Sequence, residues 1–533
     1  MITRRNFIGT ATGWLGATLL WPVVQACRTA PVIPGSIVGQ ASAHGHQLRT
    51  MKFDAPTETL RTDSVIVGGG AAGLSAARYL HSRGIDFKLL ELQAEPGGNA
   101  AGGQNAVSAY PWGAHYLPLP NTHDTELTHF LEECNVITGY SNDLPVFNDY
   151  YLCFDPKERL YIHHYWQEGL VPREGVPQAD RDELERFHAM MTDYKAKRGH
   201  DGREAFVIPA TESSQDPEFL ALDVISMDDF LTQQGFKSPY LRWYVAYCCA
   251  DDYGAGLRDT SAWAGIHYFA SRKGKAANAP SDAVLTWPEG NGWLIRHLRD
   301  RVAHAITCNA LVYSVQPSAT GVTVVYHDAA RNASVRIEAR KAILATPQFV
   351  NQRLLHGVSR NLDYQAFHYA PWMVANLTTT SALDEKHGEP VSWDNVLYGS
   401  TSLGYVNASH QHVALPTGSR VLTFYKPLLG SDTAAIRKDA YSRKYEHWRD
   451  SILNELKGPH PMLNHDIQQL DVWLWGHAMV RPEPGFMWGA NRRQAETSLA
   501  NRIYFAHSDT SGLSIFEEAF YHGHRAAREA SQA

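Results

Sequence analysis

Gly68-Gly69-Gly70-Ala71-Ala72-Gly73 is the stretch whose residue types and spacing most directly imply chemistry. Gly68 permits a tight turn, Gly70 lets the backbone approach a pyrophosphate, and Gly73 lets a helix and a strand pack closely. Ala72 falls within the same turn. Glu91 follows Gly73 by 18 residues, where a carboxylate can accept both hydroxyls of an adenosine ribose. The same charge would repel a 2′-phosphate, which argues against NADP. The chemistry implied is the grip on a dinucleotide.

Such a turn needs elements to hold it. Ser64-Val65-Ile66-Val67 predicts a β-branched strand, Leu74 to Arg83 a helix closed by Gly84, and Ile85 to Glu91 a second strand ending in the acid. Strand, glycine turn, helix, strand and acid together form the context the motif requires. The helix start then presents free N–H groups and a positive dipole end to phosphates. The chain of 533 residues predicts two or three folded units. Apolar residues make up 44% and charged residues 19%, which excludes a disordered or highly solvated chain. A net charge of −7 offers no basic excess for nucleic acid. Fourteen Trp, 25 Tyr and 19 Phe suit an enzyme with an aromatic-walled pocket. Six cysteines do not make a disulfide scaffold, and no His, Cys and carboxylate spacing matches a metal site.

Thr3-Arg4-Arg5-Asn6-Phe7-Ile8 precedes an apolar run from Gly9 to Ala26 without a charge. This pattern describes a bacterial export signal. Its paired arginines and Phe7 resemble the twin-arginine (Tat) signal, whose machinery carries folded proteins. Val24-Gln25-Ala26-Cys27 is similar to a lipobox, with Cys27 accepting lipid, and also fits ordinary cleavage at the same bond. Residues 1–27 are thus expected to be an address, 28–60 a tether rich in Pro, Gly, Ser and Thr, and the rest to lie in the periplasm or on the membrane's outer face. No later stretch has the ~20 apolar residues of a membrane span.

Glu91-Leu92-Gln93-Ala94-Glu95-Pro96-Gly97-Gly98-Asn99 resembles the extended flavin motif of the flavin-containing amine oxidases, in which an acid is followed by Gly-Gly-Arg. Asn99 stands in the arginine's place. Trp112-Gly113-Ala114-His115-Tyr116 is similar to the family segment beside the flavin ring. Asn501 to Thr510, followed by Ile515 to Ala527, resembles the family's closing strand, turn and helix. The resemblance places Ser508 and Asp509 on the flavin ribityl chain and Phe516 at the helix start facing the ring. It also implies that the Val312 backbone reads adenine and that Ala345 ends the adenine-side unit. His507 and Glu518 replace family glycines.

The resemblance implies an α/β fold: a doubly wound, Rossmann-like FAD-binding domain, discontinuous over 61–125, 285–350 and 465–533. An α+β substrate domain, 126–284 and 351–464, is inserted in it. The implied cofactor is FAD, held noncovalently, since no cysteine follows Cys308. The implied reaction is hydride transfer from a small amine, with polyamines among the candidates, to flavin N5. Alternatives on the same scaffold are a desaturase acting on an unsaturated or lipid-like substrate, and a flavoprotein that carries electrons or binds ligand without turnover. Tyr110, Trp112, His115, Trp475, Phe486, Trp488 and Phe516 flank the motifs and are candidate walls of the pocket. Among them Trp112, His115, Trp475, Trp488 and Phe516 are the candidate catalytic positions. The lysine that family oxidases often place after the Ala-Thr-Pro turn is absent from Met373 to Leu377, and Lys426 reads as a strand-edge charge. Cys248-Cys249 reads as two buried helix thiols, and Asp251-Asp252 as a solvated turn in preference to a holder of a cationic amine.

Overall fold

Strand Glu58–Val67 is partly exposed over its first half and buried from Ser64 to Val67, where it leaves the sheet margin for the core. In the computed structural model, which describes residues 33–39, 42–381, 383, 387–412 and 418–532, this strand is central to a seven-stranded sheet. It pairs in parallel with Phe87–Leu90 on one side, Val67 opposite Leu90, and with Ala333–Leu344 on the other, Leu344 opposite Val67. Ile503–Phe505 adds a further parallel strand beside Leu344. Val322–Asp328 and Ala310–Pro317 extend the sheet antiparallel. The unbroken apolar runs Val65–Val67 and Ala342–Leu344 follow from coverage of both faces.

Helix Ala71–Ser82 lies on this sheet and against the final helix, Phe516–Gln532. Small residues let the two backbones meet. A Cβ at Gly523 would stand 2.1 Å from the Ala72 carbonyl oxygen, and Ser75 Oγ donates to the Phe520 carbonyl at 2.7 Å. The helix after the glycine turn and the final helix, more than 400 residues apart in sequence, are joined at this contact.

The second sheet has eight strands. Its central strand, Tyr369–Thr379, is buried throughout and pairs antiparallel with Arg420–Pro427 and Ile467–Val480. A helical layer from Gln178–Ala196 to Ala262–Ala270 closes around Phe187, Phe206, Phe230 and Trp263. The fold class is α/β with parallel strands around the glycine turn.

Three segments lie elsewhere than the sequence boundaries put them. Ile467–Val480, assigned by 465–533 to the dinucleotide-binding unit, belongs to the eight-stranded sheet. Thr125–Glu133 and the hairpin strands Ile137–Ser141 and Leu144–Phe147, assigned to the substrate domain, bury Leu127, Phe130 and Phe147 in the same core as Leu74 and Phe520. The 28–60 stretch is no free tether from Ile33 onward: Ile37–Val38 pairs in parallel with Val472–Trp473, and Ile33 and Leu48 are buried. Burying these side chains outweighs the flexible composition around them. The twin-arginine pattern, the apolar run and Cys27 lie outside the described residues. Among the described residues no helix is long and apolar enough to cross a membrane.

Candidate functional site

Gly68 takes φ +101°, and a Cβ there would come within 2.8 Å of the Ala345 carbonyl oxygen. Only glycine fits that turn. A Cβ at Gly73 would lie 1.8 Å from the Gly68 oxygen, so Gly73 allows the helix to start directly against the turn. Gly70 differs, since a Cβ there would meet only the Gly98 Cα at 3.8 Å. Its bare backbone faces an elongated cavity of about 990 Å³, at the upper end of ligand-site volumes. Gly68, Gly70, Ala72, Glu91, Gly97, Gly98, Asn99, Ala114, Val312, Ala345, Ser508 and Phe516 all line it. Gly73 stands behind the wall.

Glu91 is fixed by two backbone donors, Gly69 N at 2.6 Å and Gln93 N at 2.8 Å. Burial pushes its pKa up, and these N–H groups oppose the shift. Its carboxylate is the only acidic side chain lining the cavity among the described residues, against Arg49, Arg353, Arg437 and Lys438. The helix start at Ala71–Ala72 and the approach to the final helix, Ser514–Phe516, open into the same space. A bare glycine cradle, two helix starts, excess positive charge and one fixed carboxylate fit a dinucleotide: the diphosphate by the cradle, the ribose by Glu91.

Asp509 does not line this cavity, contrary to the sequence expectation. Its carboxylate turns inward to accept Tyr369 Oη at 2.5 Å and Gln348 N at 2.8 Å. Ser508 and His507 face the cavity instead. Asn99 is held through its amide, which donates to the Ala478 carbonyl.

A second cavity, about 400 Å³, shares Asn99, Ala114, Ser514, Ile515 and Phe516 with the first. Gly113, His115 and Tyr116 line it too. A Cβ at Gly113 would fall 2.1 Å from the Asn99 carbonyl oxygen, so the two segments touch backbone to backbone at the junction. The walls are aromatic. His115 leans on Tyr425 with centroids 4.6 Å apart, Trp393 meets Tyr116 edge to face, and Trp475 stands opposite Trp372 on the neighbouring strand, both in the lining. Burial lowers His115 to about 4, so it is a neutral ring at ordinary pH.

Of the remaining aromatic candidates, Trp112 backs the wall. Its carbonyl accepts Trp475 Nε1 at 2.7 Å while its own ring leans on Trp473. Tyr110 packs edge-on against Trp112. Trp488 and Phe486 lie outside both cavities: Trp488 packs on Trp263 in the helical layer, and Phe486 on Phe367. Closeness in sequence to a motif does not decide which side of the chain a ring occupies.

The second cavity is strongly acidic. Glu158, Asp251, Asp252, Asp282, Asp394 and Glu517 line it, against Lys195 and Arg272. Glu158 and Asp282 are solvent-exposed and mark the mouth, Asp251 and Asp394 are half-buried, and Asp252 and Glu517 are buried next to the junction. Arg272 Nη2 donates to both Asp252 oxygens, at 2.8 and 2.7 Å. Burial, then the negative charge of Asp252, push Asp251 up to about 7. Glu517 is likewise pushed to about 7 by burial. Asp394, which accepts Tyr247 Oη at 3.4 Å, is raised well above its ordinary value by burial and by Glu158 and Asp251.

Asp251-Asp252 is therefore no solvated turn. The pair closes helix Pro239–Tyr253, which Ser238 caps and Gly254, at φ +59°, terminates. That end of a helix carries negative partial charge and further disfavours ionised carboxylates. Cys248 and Cys249 are buried on the same helix. Lys426 pairs with Glu455, both largely buried, and is not a free strand-edge charge. The sequence reading missed Glu158, Asp282, Asp394, Glu517, Arg272, Tyr247, Trp393 and Tyr425. Only Glu517, next to Phe516, stood beside a recognisable motif.

The family profile described as flavin containing amine oxidoreductase matches residues 71–531. No curated protein sequence matches the chain. Among solved structures, putrescine oxidase bound to putrescine is similar at 16% identity, with a TM-score of 0.64 over 89% of this chain and 100% of that one. Cyclohexylamine oxidase from Brevibacterium oxydans is similar at 14% identity and 0.64, over 88% and 99%. A conjugated-linoleic-acid-producing fatty acid isomerase from P. acnes is similar at 15% and 0.58, over 87% and 97%.

Proposed function

The chain belongs to the flavin-containing amine oxidoreductase family and is an FAD-dependent oxidoreductase, and we propose that its substrate is a small amine carrying two or more positive charges, a diamine or polyamine. The observation that carries this reading is the set of six carboxylates, facing two cations, in the aromatic cavity that adjoins the dinucleotide cavity. The names of two structural neighbours, putrescine oxidase and cyclohexylamine oxidase, point the same way.

FAD, when bound, supplies an acceptor for the hydride that leaves the carbon next to the substrate nitrogen. The rest falls to the chain. Glu158 and Asp282 at the mouth attract a cation, and deeper carboxylates replace the water an ammonium gives up on entry. The rings of Tyr116, Trp393, Tyr425 and Trp475 offer faces to positive charge and keep water out. The reacting nitrogen must be neutral, since an ammonium withdraws the electron pair that assists hydride departure. Asp251, ionised above about pH 7, takes that proton at its carboxylate oxygen, while the second ammonium, by its own charge, draws Asp394 from the neutral form that burial favours to the ionised form and is held there.

The fatty acid isomerase on the same scaffold raises the lipid-like alternative. Charge weighs against it: a fatty acid carboxylate entering this cavity would meet carboxylates, and the guanidinium of Arg272 is already bound to Asp252. A protein that only carries electrons has no need of an aromatic, acidic cavity at the junction. We further propose export by the twin-arginine route to the periplasm, with Cys27 as a lipid attachment point, on the strength of Arg4-Arg5-Asn6-Phe7 and the charge-free run that follows.

Asp394→Asn tests the two-charge reading. The variant should raise KM for an α,ω-diamine at least tenfold, in line with the loss of one charged hydrogen bond worth roughly 1.5–3 kcal/mol. KM for a monoamine of equal length should stay nearly unchanged. An equal effect on both substrates would remove the reading.

A further inference from the structure

Asn99 leaves the glycine turn without a positive side chain, yet the cavity it serves is not short of charge. Two arginines reach it from elements remote from the turn. Arg49 ends the short helical segment Ser42–Arg49, and Arg437 lies on helix Thr433–Ser442. Ser42, Gly45, His46 and Leu48 accompany Arg49 in the lining. The segment is pinned by Leu48, buried in one core with Leu90 and Val312. It precedes residue 71, where the family match begins.

The two arginines feel each other. Burial lowers the pKa of Arg437 and Arg49 lowers it further, while Tyr441 and Asp432 oppose the shift without reversing it. His477, on the same wall, is driven to about 3 by burial and then by Arg437, Arg49 and His46. Among the described residues neither arginine has a carboxylate within ion-pair distance: Arg437 Nη1 donates to the Gly476 carbonyl at 3.2 Å, and Arg49 Nη2 meets His46 Nε2 at 3.1 Å. Like charges gathered in a half-enclosed cavity repel one another unless an anion joins them.

We propose that Arg49 and Arg437 clamp the diphosphate of the dinucleotide in the cavity they line together with the glycine turn, supplying the positive charge that Asn99 withholds, and that Ser42–Arg49 thereby seals the cofactor in. The ligand chemistry is a diphosphate ester. The segment just after the export signal becomes part of the cofactor site.

Release of FAD from the full-length holoenzyme on dilution, followed by recovery of flavin fluorescence, tests this over a series of salt concentrations. Arg49→Gln and Arg437→Gln should each raise the FAD dissociation constant at least tenfold, and Arg49→Lys should recover part of the loss. Both glutamine variants should also flatten the dependence of log Kd on log salt, because one screened ionic contact has gone. A purely structural role would not change that slope. Arg437→Gln also loses the Gly476 contact, so Arg49→Gln, whose side chain meets the His46 ring, decides. An FAD affinity within twofold of wild type in Arg49→Gln, or weaker binding with an unchanged salt slope, would overturn the proposal.

Discussion

Replacing Asp252 by asparagine cuts the most buried ion pair of the acidic cavity. The side chains of Asp252 and Arg272 are 9% and 22% exposed, so the guanidinium left behind is poorly solvated. Breaking a buried pair from one side costs about 3–5 kcal/mol. Asp251 and Glu517 both feel the charge of Arg272 and can take over part of the role, which sets the expectation at the lower end, about 3 kcal/mol. Against the 5–15 kcal/mol of an ordinary domain this is a large but survivable loss. The second consequence is electrostatic. Asp251 loses a negative neighbour and gains a released cation, and both changes draw its pKa down from about 7 toward the ordinary 3.8. The sign for stability follows from linkage. In the wild type the folded state holds a proton on Asp251 that the unfolded state has released, so its contribution is present below about 3.8 and is lost as pH rises to about 7. The variant should lose it over a narrower and more acid window. Thermal melts from pH 4 to 8, together with the pH dependence of anaerobic flavin reduction by a diamine, measure both effects. The rising limb of the rate, near 7 in wild type, should move to lower pH by at least one unit, about 1.4 kcal/mol. A folded variant whose limb stays in place would refute the assignment of Asp251 as the proton acceptor.

Two further outcomes are expected. Glu91→Gln turns an amide NH2 toward one of the two backbone donors, Gly69 N or Gln93 N, and loses a charged acceptor, so FAD should bind at least roughly 10- to 150-fold more weakly, the equivalent of about 1.5–3 kcal/mol; fluorescence titration of the flavin measures it, and an unchanged constant would place the ribose elsewhere. Arg4→Lys with Arg5→Lys should leave the precursor in the cytoplasm, as fractionation and blotting would show, and normal export of the double variant would remove the twin-arginine reading.

The dinucleotide half of the site was legible because its physics is local. Gly68, Gly70 and Gly73 each answer a steric demand made within a few residues, and Glu91 completes a short strand–turn–helix–strand unit. The substrate half was not. Its carboxylates come from a strand start at Glu158, a helix end at Asp251 and Asp252, a loop at Asp282, the start of an interior strand at Asp394 and the final helix at Glu517, and only tertiary packing unites them. Helix Pro239–Tyr253 has little amphipathic periodicity before its acidic end, Tyr240 to Ala250 being apolar apart from Arg242, which left the acids looking like a turn. Trp488 and Phe486 misled for the converse reason. They are near motifs in sequence, but the chain bends at Gly485 and Gly489 and sends their rings into neighbouring cores.

The central claim, an acidic cavity that delivers a cationic amine to the cofactor, is tested most directly by anaerobic titration of the purified holoenzyme while its flavin absorbance is recorded. The account predicts that one equivalent of an α,ω-diamine or polyamine bleaches the flavin, faster as pH rises through 7 toward the amine pKa, and that a long-chain unsaturated acid leaves the spectrum unchanged. A flavin that no amine reduces, while an unsaturated acid or alcohol reduces or perturbs it, would contradict the account.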